Sequence, residues 1–410
     1  ELDGMQGSTG AGGAEVSSTT ATSRITGSGD RIDLRYVTPI GRKESVLREA
    51  HIRDRAVVES VPVESVPNET GGRGASIRRV RADWIELAMD EDGRNIEVLR
   101  TLAPGTLDLL PTDPRGRRRI LHAHRMTAHY AADNRLRKLN AEGDVKVETH
   151  PPVLEQLTEK PRAVLRTWSE GLMAEFDPPS GEIRQLRQWS GFRFDQGGRR
   201  GRSGEAEFDW QTNEIELRHQ ARVWESTGSV SADRILLDEN TGDFRAFGKV
   251  SSTHQESTGD LAKEGATTGG PFSAEDPVYA TADRMLSNQA TGLVDYRGQV
   301  RLWQGRNRIE ADHIEIRRHS RTLSAGGEVV SFFQPAEGER DEPPRQGGAD
   351  RSAIRVSADS ILYEEDGRRA IYRGGVELHR GRLRVLSDEL EAYFEPDESA
   401  GSGQNGLKRA

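Results

Sequence analysis

The sequence contains no cysteine. That absence excludes a disulfide framework, a thiolate zinc site and a cysteine nucleophile. Lysine is scarce as well, since only seven of the 58 basic residues are lysine and the rest are arginine. Arginine's planar fork suits phosphate and carboxylate groups, but the excess reads as the codon usage of a GC-rich genome. No run approaches the roughly 18 apolar residues that a membrane span requires. With 58 basic against 67 acidic residues the net charge is −9. No overall positive field is available for nucleic acid, and no nucleic-acid partner is expected. Catalytic signatures are missing too: there is no G-x-S-x-G elbow, no Gly-rich phosphate loop and no H-E-x-x-H. Helical periodicity is nearly absent, and residues Arg42 to Ala56 are the one stretch where a short helix is expected.

What is present is a thin but sufficient core. The 33% hydrophobic residues and 44 glycines of this 410-residue chain fall just under the usual globular share of about 45–50%. Residues 1–29 are mostly Gly, Ser, Thr and Ala, with almost nothing to bury, and read as a disordered linker or tail. From Arg31 onward the text becomes short alternating segments punctuated by Gly, Asp and Asn, the pattern of an all-β protein.

Self-comparison reveals a repeat. One phrase reads SADRILLD from Ser231, TADRMLSN from Thr281, EADHIEIR from Glu310, SADSILYE from Ser357 and RADWIELA from Arg81, with LSDELEAYF from Leu386 a looser copy. A second phrase follows about ten to fifteen residues later: AFGKV from Ala246, YRGQV from Tyr296, AGGEV from Ala325, YRGGV from Tyr372 and AEGDV from Ala141. Turn-formers separate the two, so each unit is strand, turn, strand. Polar insertions near Ser252 to Pro277 and Pro335 to Arg351 read as surface loops.

Residues two apart on a strand share a face. Phe244, Ala246, Gly248 and Val250 therefore share one side, as do Tyr296, Gly298, Val300 and Leu302, and Tyr372, Gly374, Val376 and Leu378. Ile235 aligns with Leu237, Ile314 with Ile316, Ile361 with Tyr363, and Leu390 with Ala392 and Phe394. The opposite faces carry Arg, Lys, Glu and Gln. Such repeats stack into a continuous apolar inner wall. The recurrent mid-strand glycine is read as a tight bend or a close approach of the facing sheet.

These phrases resemble the OstA-like family of periplasmic lipopolysaccharide-transport proteins, which includes the LptA and LptC types. The likeness is clearest from Val230 to Phe394 and weaker from Ala75 to Phe194. Between Thr167 and Trp224 it lapses: SEGLMAEF replaces the first phrase and Gly191 stands one place out. The resemblance implies an open antiparallel β-jellyroll, folded like a taco, that carries lipopolysaccharide from inner to outer membrane. It implies end-to-end β-strand addition to other transport proteins, or self-association. The domains expected are a divergent jellyroll over 30–225 and the repeats proper over 226–410. By the inward parity of each strand, the lipid groove is expected at Phe244, Val250, Val300, Leu302, Ile314, Ile316, Val329, Phe333, Ile361, Val376 and Leu378.

Several residues admit other readings. His122 and His124 would share a strand face, with His129 nearby, but they read as surface residues and no metal or cofactor is expected. The repeated Asp83, Asp233, Asp283, Asp312 and Asp359 read as turn-enders bonding their own backbone rather than as catalytic or calcium-binding carboxylates. The tryptophans Trp84, Trp168, Trp189, Trp210, Trp224 and Trp303 read as buried in the core or groove. The competing class is a structural β-solenoid, scaffold or adhesin without lipid, with a polysaccharide-active solenoid enzyme behind it. An interior filled with side chains favours the scaffold, and an open slot favours the carrier. The segment LKRA after Gly406 reads as the start of an unfinished unit, so the protein is expected to continue past Ala410. An export signal or membrane anchor is expected upstream of Glu1, placing the protein in the periplasm.

Overall fold

A computed structural model describes residues 6–10, 13–19, 23–38, 43–62, 76–131, 134–156, 162–177, 181, 183–209, 212–255, 276–334, 353–395 and 406–409. The chain divides into two compact units, Glu1–Ile215 and Glu216–Ala410. Unit 1 contains β1 (Gln6–Gly10), β2 (Gly13–Thr19), β3 (Ser23–Gly29), β4 (Arg31–Val37), β5 (Val46–Pro62), β6 (Ser76–Met89), β7 (Ile96–Thr101), β8 (Gly105–Pro111), β9 (Arg119–Ala123), β10 (Arg125–Ala131), β11 (Arg135–Thr149), β12 (Leu165–Phe176), β13 (Ile183–Gln196) and β14 (Arg199–Asp209). A four-residue helix, α1 (Val153–Gln156), lies between β11 and β12. Strand β15 (Glu214–Glu225) leads into unit 2, which holds β16 (Gly228–Asp238), β17 (Phe244–His254), β18 (Val278–Asn288), β19 (Leu293–Gln304), β20 (Asn307–Arg317), β21 (Thr322–Phe333), β22 (Ile354–Glu364), β23 (Arg369–Arg380), β24 (Leu383–Glu395) and β25 (Gly406–Arg409). The expected all-β fold of stacked antiparallel strand–turn–strand units is the fold adopted.

In unit 2 each strand from β16 to β24 pairs antiparallel with the next, and every one of these pairings slips register once, near its middle. The slips coincide with two consecutive left-handed residues: Gly248–Lys249 at φ 74° and 49°, Gly298–Gln299 at 81° and 46°, Gly327–Glu328 at 77° and 48°, and Gly374–Gly375 at 82° and 52°. These are bulges, which bend a strand sharply. Each long strand is thereby folded into two limbs, and the bends line up strand after strand into a corner.

The aspartate of the first phrase sits at the same corner. A Cβ added to Gly248 would lie 2.6 Å from Asp233 Oδ2. Asp283, Asp312 and Asp359 cover Gly298, Gly327 and Gly374 still more closely. So the aspartates do not end turns, as the sequence suggested. They are exposed, mid-strand, and packed on the bend glycine of the neighbouring strand. The recurrent glycine is a bend.

The inward parity also jumps at this corner. Along β20 the buried positions run Ile309, Ala311, then Ile314, skipping both Asp312 and His313. The same three-residue step puts Ala232, Ala282 and Ala358 inside.

Two expectations fail in unit 1. Residues 13–19 and 23–29 are not a disordered tail but form β2 and β3, with Val16 and Ile25 each 2% exposed. Small polar residues suffice there because β3 is zipped to β5 from Ser23 to Ser28. The helix expected within Arg42 to Ala56 is part of strand β5. Its buried residues run Leu47, Ala50, Ile52, Ala56, because bulges opposite Arg35/Tyr36 and at Arg53/Ala56 stretch the two-residue period into steps of three and four. Those steps imitate a helical face.

Candidate functional site

The interior of unit 2 is built from the inward residues of both limbs. Val250, Val300, Leu302, Ile314, Val329, Phe333, Ile361, Val376 and Leu378, nine of the eleven positions expected on the groove, are all under 9% exposed and lie on this wall. Phe244 and Ile316 are half-buried, because they stand at the ends of β17 and β20.

The two limbs meet across the interior. The hydroxyls of Ser252 and Tyr296 are 2.8 Å apart in a buried hydrogen bond. Phe333, from one limb, meets Phe394 of the other edge-on at 5.6 Å, and Phe394 also packs against Tyr363. The cross-section is thus closed by side chains rather than open as a slot.

One hydroxyl in this apolar space, that of Tyr363, lacks a partner. Burial pushes the Tyr372 phenol up, with its hydrogen-bond partner Ser331 opposing, whereas the Tyr363 hydroxyl is buried without a hydrogen bond and burial pushes it up as well. A buried unpaired polar group costs about 1–3 kcal/mol, so a ligand oxygen reaching Tyr363 would be welcomed. Near the end of β17, burial and the Arg318 cation push the His254 imidazole down to about 4, with Glu225 opposing. At neutral pH the wall therefore carries no charge at that position.

Unit 1 differs at its corner. There β7 and β8 both pair with β6, and β9 and β10 both pair with β11. One layer of strands is cut in two at the corner instead of bending through it. A surface hollow of about 550 Å³ results, with Asp83, Gly105, His122 and His124 among its walls. His122 Nδ1 is 3.0 Å from Thr106 Oγ1, and His124 Nε2 is 3.1 Å from Asp144 Oδ2. Among the described residues no three His, Asp or Glu side chains are placed to hold a metal. Deeper in unit 1, an apolar void of about 20 Å³ lies between Val58, Val80, Leu107 and Met126, room for about one water.

The tryptophans are not in the core, contrary to expectation. Trp84, Trp168, Trp189, Trp224 and Trp303 are half-buried on outward positions of their strands, while Trp210 lies outside the described residues. Arginine explains two of them: the Arg53 guanidinium lies 4.5 Å over Trp84, and that of Arg222 lies 5.8 Å from Trp224. Cation–π contact lets an indole sit at the surface. Trp303 instead stacks on Tyr279 at 5.5 Å. Strand parity alone predicts these outward positions, since Trp303 adjoins the inward Leu302.

No protein-family profile matches the chain, and no curated protein is significantly similar to it. Among solved structures, one that it matches is LptH, described as the LptA-homologous periplasmic component of the lipopolysaccharide transport device of Pseudomonas aeruginosa. Identity is 16%, the match covers 38% of this chain and 93% of that one, and the TM-score is 0.26. A TM-score that low carries no argument about fold or function. Among the described residues no helix is long and apolar enough to cross a membrane.

Proposed function

We propose that this chain binds an amphipathic glycolipid of the lipopolysaccharide type along the interior of its repeated strands. It acts there as a periplasmic bridge between the inner and outer membranes, with no catalytic step. The observation that carries this reading is the largely apolar wall of β16 to β24, whose few polar members are serine and tyrosine hydroxyls, Gln304 and His254. Each acyl methylene buried there is worth about 0.8 kcal/mol. An ester or amide oxygen of the lipid would supply the hydrogen bond that Tyr363 lacks. The motif resemblance to lipopolysaccharide-transport proteins points the same way.

The proposed assembly partners are other transport proteins or copies of this chain, joined by strand addition. Among the described residues, β25 pairs only with Tyr393–Glu395 of β24, which leaves the earlier part of that strand as a free edge. Leu383 and Leu386 are 55% and 65% exposed along it. An unpaired edge with apolar side chains is a template for another strand.

A second reading, a structural scaffold without lipid, is favoured by one observation: the limbs touch through Ser252–Tyr296 and Phe333–Phe394. On the carrier reading these contacts part as lipid enters. Photo-crosslinking separates the two. A photoreactive residue at Leu302 or Leu378 is expected to capture lipopolysaccharide, and one at the exposed Arg297 or Arg373 on the other limb is not. Equal capture from both faces, or none, leaves the scaffold.

A further inference from the structure

Strand pairing in unit 2 aligns one row of outward residues that no two-residue pattern within a single strand displays. Trp303 faces Arg308, Arg308 faces Phe332, Phe332 faces Arg355, Arg355 faces His379, and His379 faces Arg384. At the head of the row Tyr279 stacks on Trp303, their ring planes 16° from parallel. Arg308 lies 4.0 Å over the Phe332 ring, and Arg355 flanks the same ring at 5.8 Å.

Each member of the row stands second from an end of its strand. The row therefore follows one rim of the limb, just outside the interior wall. The next outward row contributes Arg301, Glu310 and Glu377. Arg301 and Arg308 share Glu310, at 3.0 and 3.4 Å, while Glu377 holds His379 and Arg384. Four arginines thus face two glutamates, in a chain whose net charge is −9. Arg355 is exposed and has no carboxylate partner among the described residues.

From this geometry we infer that the rim binds the phosphate-bearing saccharide headgroup of the glycolipid whose acyl chains occupy the interior. The inference rests on the proposed function for the identity of the ligand, but its chemistry is read from the row. Neighbouring strands lie about 4.8 Å apart, so Arg308, Arg355 and Arg384, on alternate strands, recur about every 10 Å. Guanidinium forks bind phosphate oxygens in pairs. Between them, the half-buried Trp303 and Phe332 add apolar surface for the C–H groups of a saccharide. Acyl chains entering between the limbs would leave their polar head at such a rim, so interior and row are placed to hold the two ends of one amphiphile.

The test uses the full chain and three probes: intact lipopolysaccharide, the same lipid after enzymatic dephosphorylation, and its deacylated phosphosaccharide. The charge-removing variant is Arg308→Gln/Arg355→Gln/Arg384→Gln, and all three side chains are at least partly exposed. The control is Arg245→Gln/Arg317→Gln/Arg369→Gln on the opposite limb. Binding of the phosphosaccharide and of intact lipid is expected to weaken at least tenfold in the first variant and less than twofold in the control. The dephosphorylated lipid should bind both alike. Glu310→Gln/Glu377→Gln removes the competing carboxylates and is expected to tighten phosphosaccharide binding several-fold, an effect that misfolding cannot produce.

Phosphosaccharide binding that is absent, or unchanged in both row variants, overturns the inference even if lipopolysaccharide still crosslinks to Leu302. Row-dependent binding of the phosphosaccharide without any interior crosslink upholds the rim while the lipid path fails.

Discussion

The corners of the two units are made differently. Four bends of unit 2 run Gly-x, with both residues left-handed and an aspartate covering the glycine. Unit 1 turns its strands at Asp54–Arg55 (φ 59° and 56°), Gly143–Asp144 (76° and 47°) and Ser190–Gly191 (61° and 74°), and elsewhere cuts the strand in two. Even unit 2 has an exception in β15, where His219–Gln220 bends at 66° and 56° without glycine. The architecture demands two consecutive left-handed residues at a fixed depth in the strand. Glycine is one way to supply them, and ordinary residues there carry about 1–2 kcal/mol of strain each.

The comparison breaks most sharply at single glycines. Gly298→Ala meets both the left-handed strain and the Asp283 carboxylate, whereas Gly191→Ala has φ 74° and nothing within 4 Å. Gly298→Ala is expected to destabilise by about 3 kcal/mol and Gly191→Ala by about 1 kcal/mol. For units of this size each kcal/mol shifts the melting temperature by about 2–4 °C, which calorimetry resolves. Adding Asp283→Ala to the first variant should recover about 1 kcal/mol, and a purely additive double-mutant cycle would show that the clash is imaginary.

A second difference is titration. Unit 2 holds the partly buried His254, pushed down to about 4 by burial and Arg318, whereas His122 and His124 of unit 1 are exposed. Because the folded-state value lies below the unfolded one of about 6.5, the unfolded chain binds the extra proton. Stability is full above pH 6.5 and is lost as pH falls toward 4. Denaturant melts should show a loss on the order of 1–3 kcal/mol across that window, and His254→Gln should flatten it. An unchanged slope in the variant would remove His254 from the account.

The smallest effect sharpens the comparison from the other side. Gln220→Gly should stabilise by about 0.5–1 kcal/mol, since relieved left-handed strain exceeds the entropy glycine adds to the unfolded chain. A melting temperature that falls would mean that the non-glycine bends are not strained.

Much of unit 2 could be read in the sequence because strand alternation and inward parity are both local. That parity puts Val300, Leu302, Val376 and Leu378 on the wall, where all four are buried. What escaped was pairing between strands. The bend at Asp54–Arg55 has no glycine to mark it, and its bulge disguised β5 as a helix. The outward row from Trp303 to Arg384 depends on register, which no single strand reveals. Apolarity alone points the tryptophans inward, but strand parity points them out. Whether the limbs touch is likewise set by side-chain reach across the interior, and an open slot and a closed one share the same alternation.

The claim at the centre is that the interior of unit 2 is the lipid path. It is tested most directly by methyl NMR of the full chain, labelled at valine and leucine, with a glycolipid carrying a nitroxide at an acyl terminus. The account predicts that the methyls of Val300, Leu302, Val376 and Leu378 broaden, while those of the exposed Leu286 and Leu383 stay sharp. Broadening confined to the exposed methyls, with the interior unchanged, would contradict it.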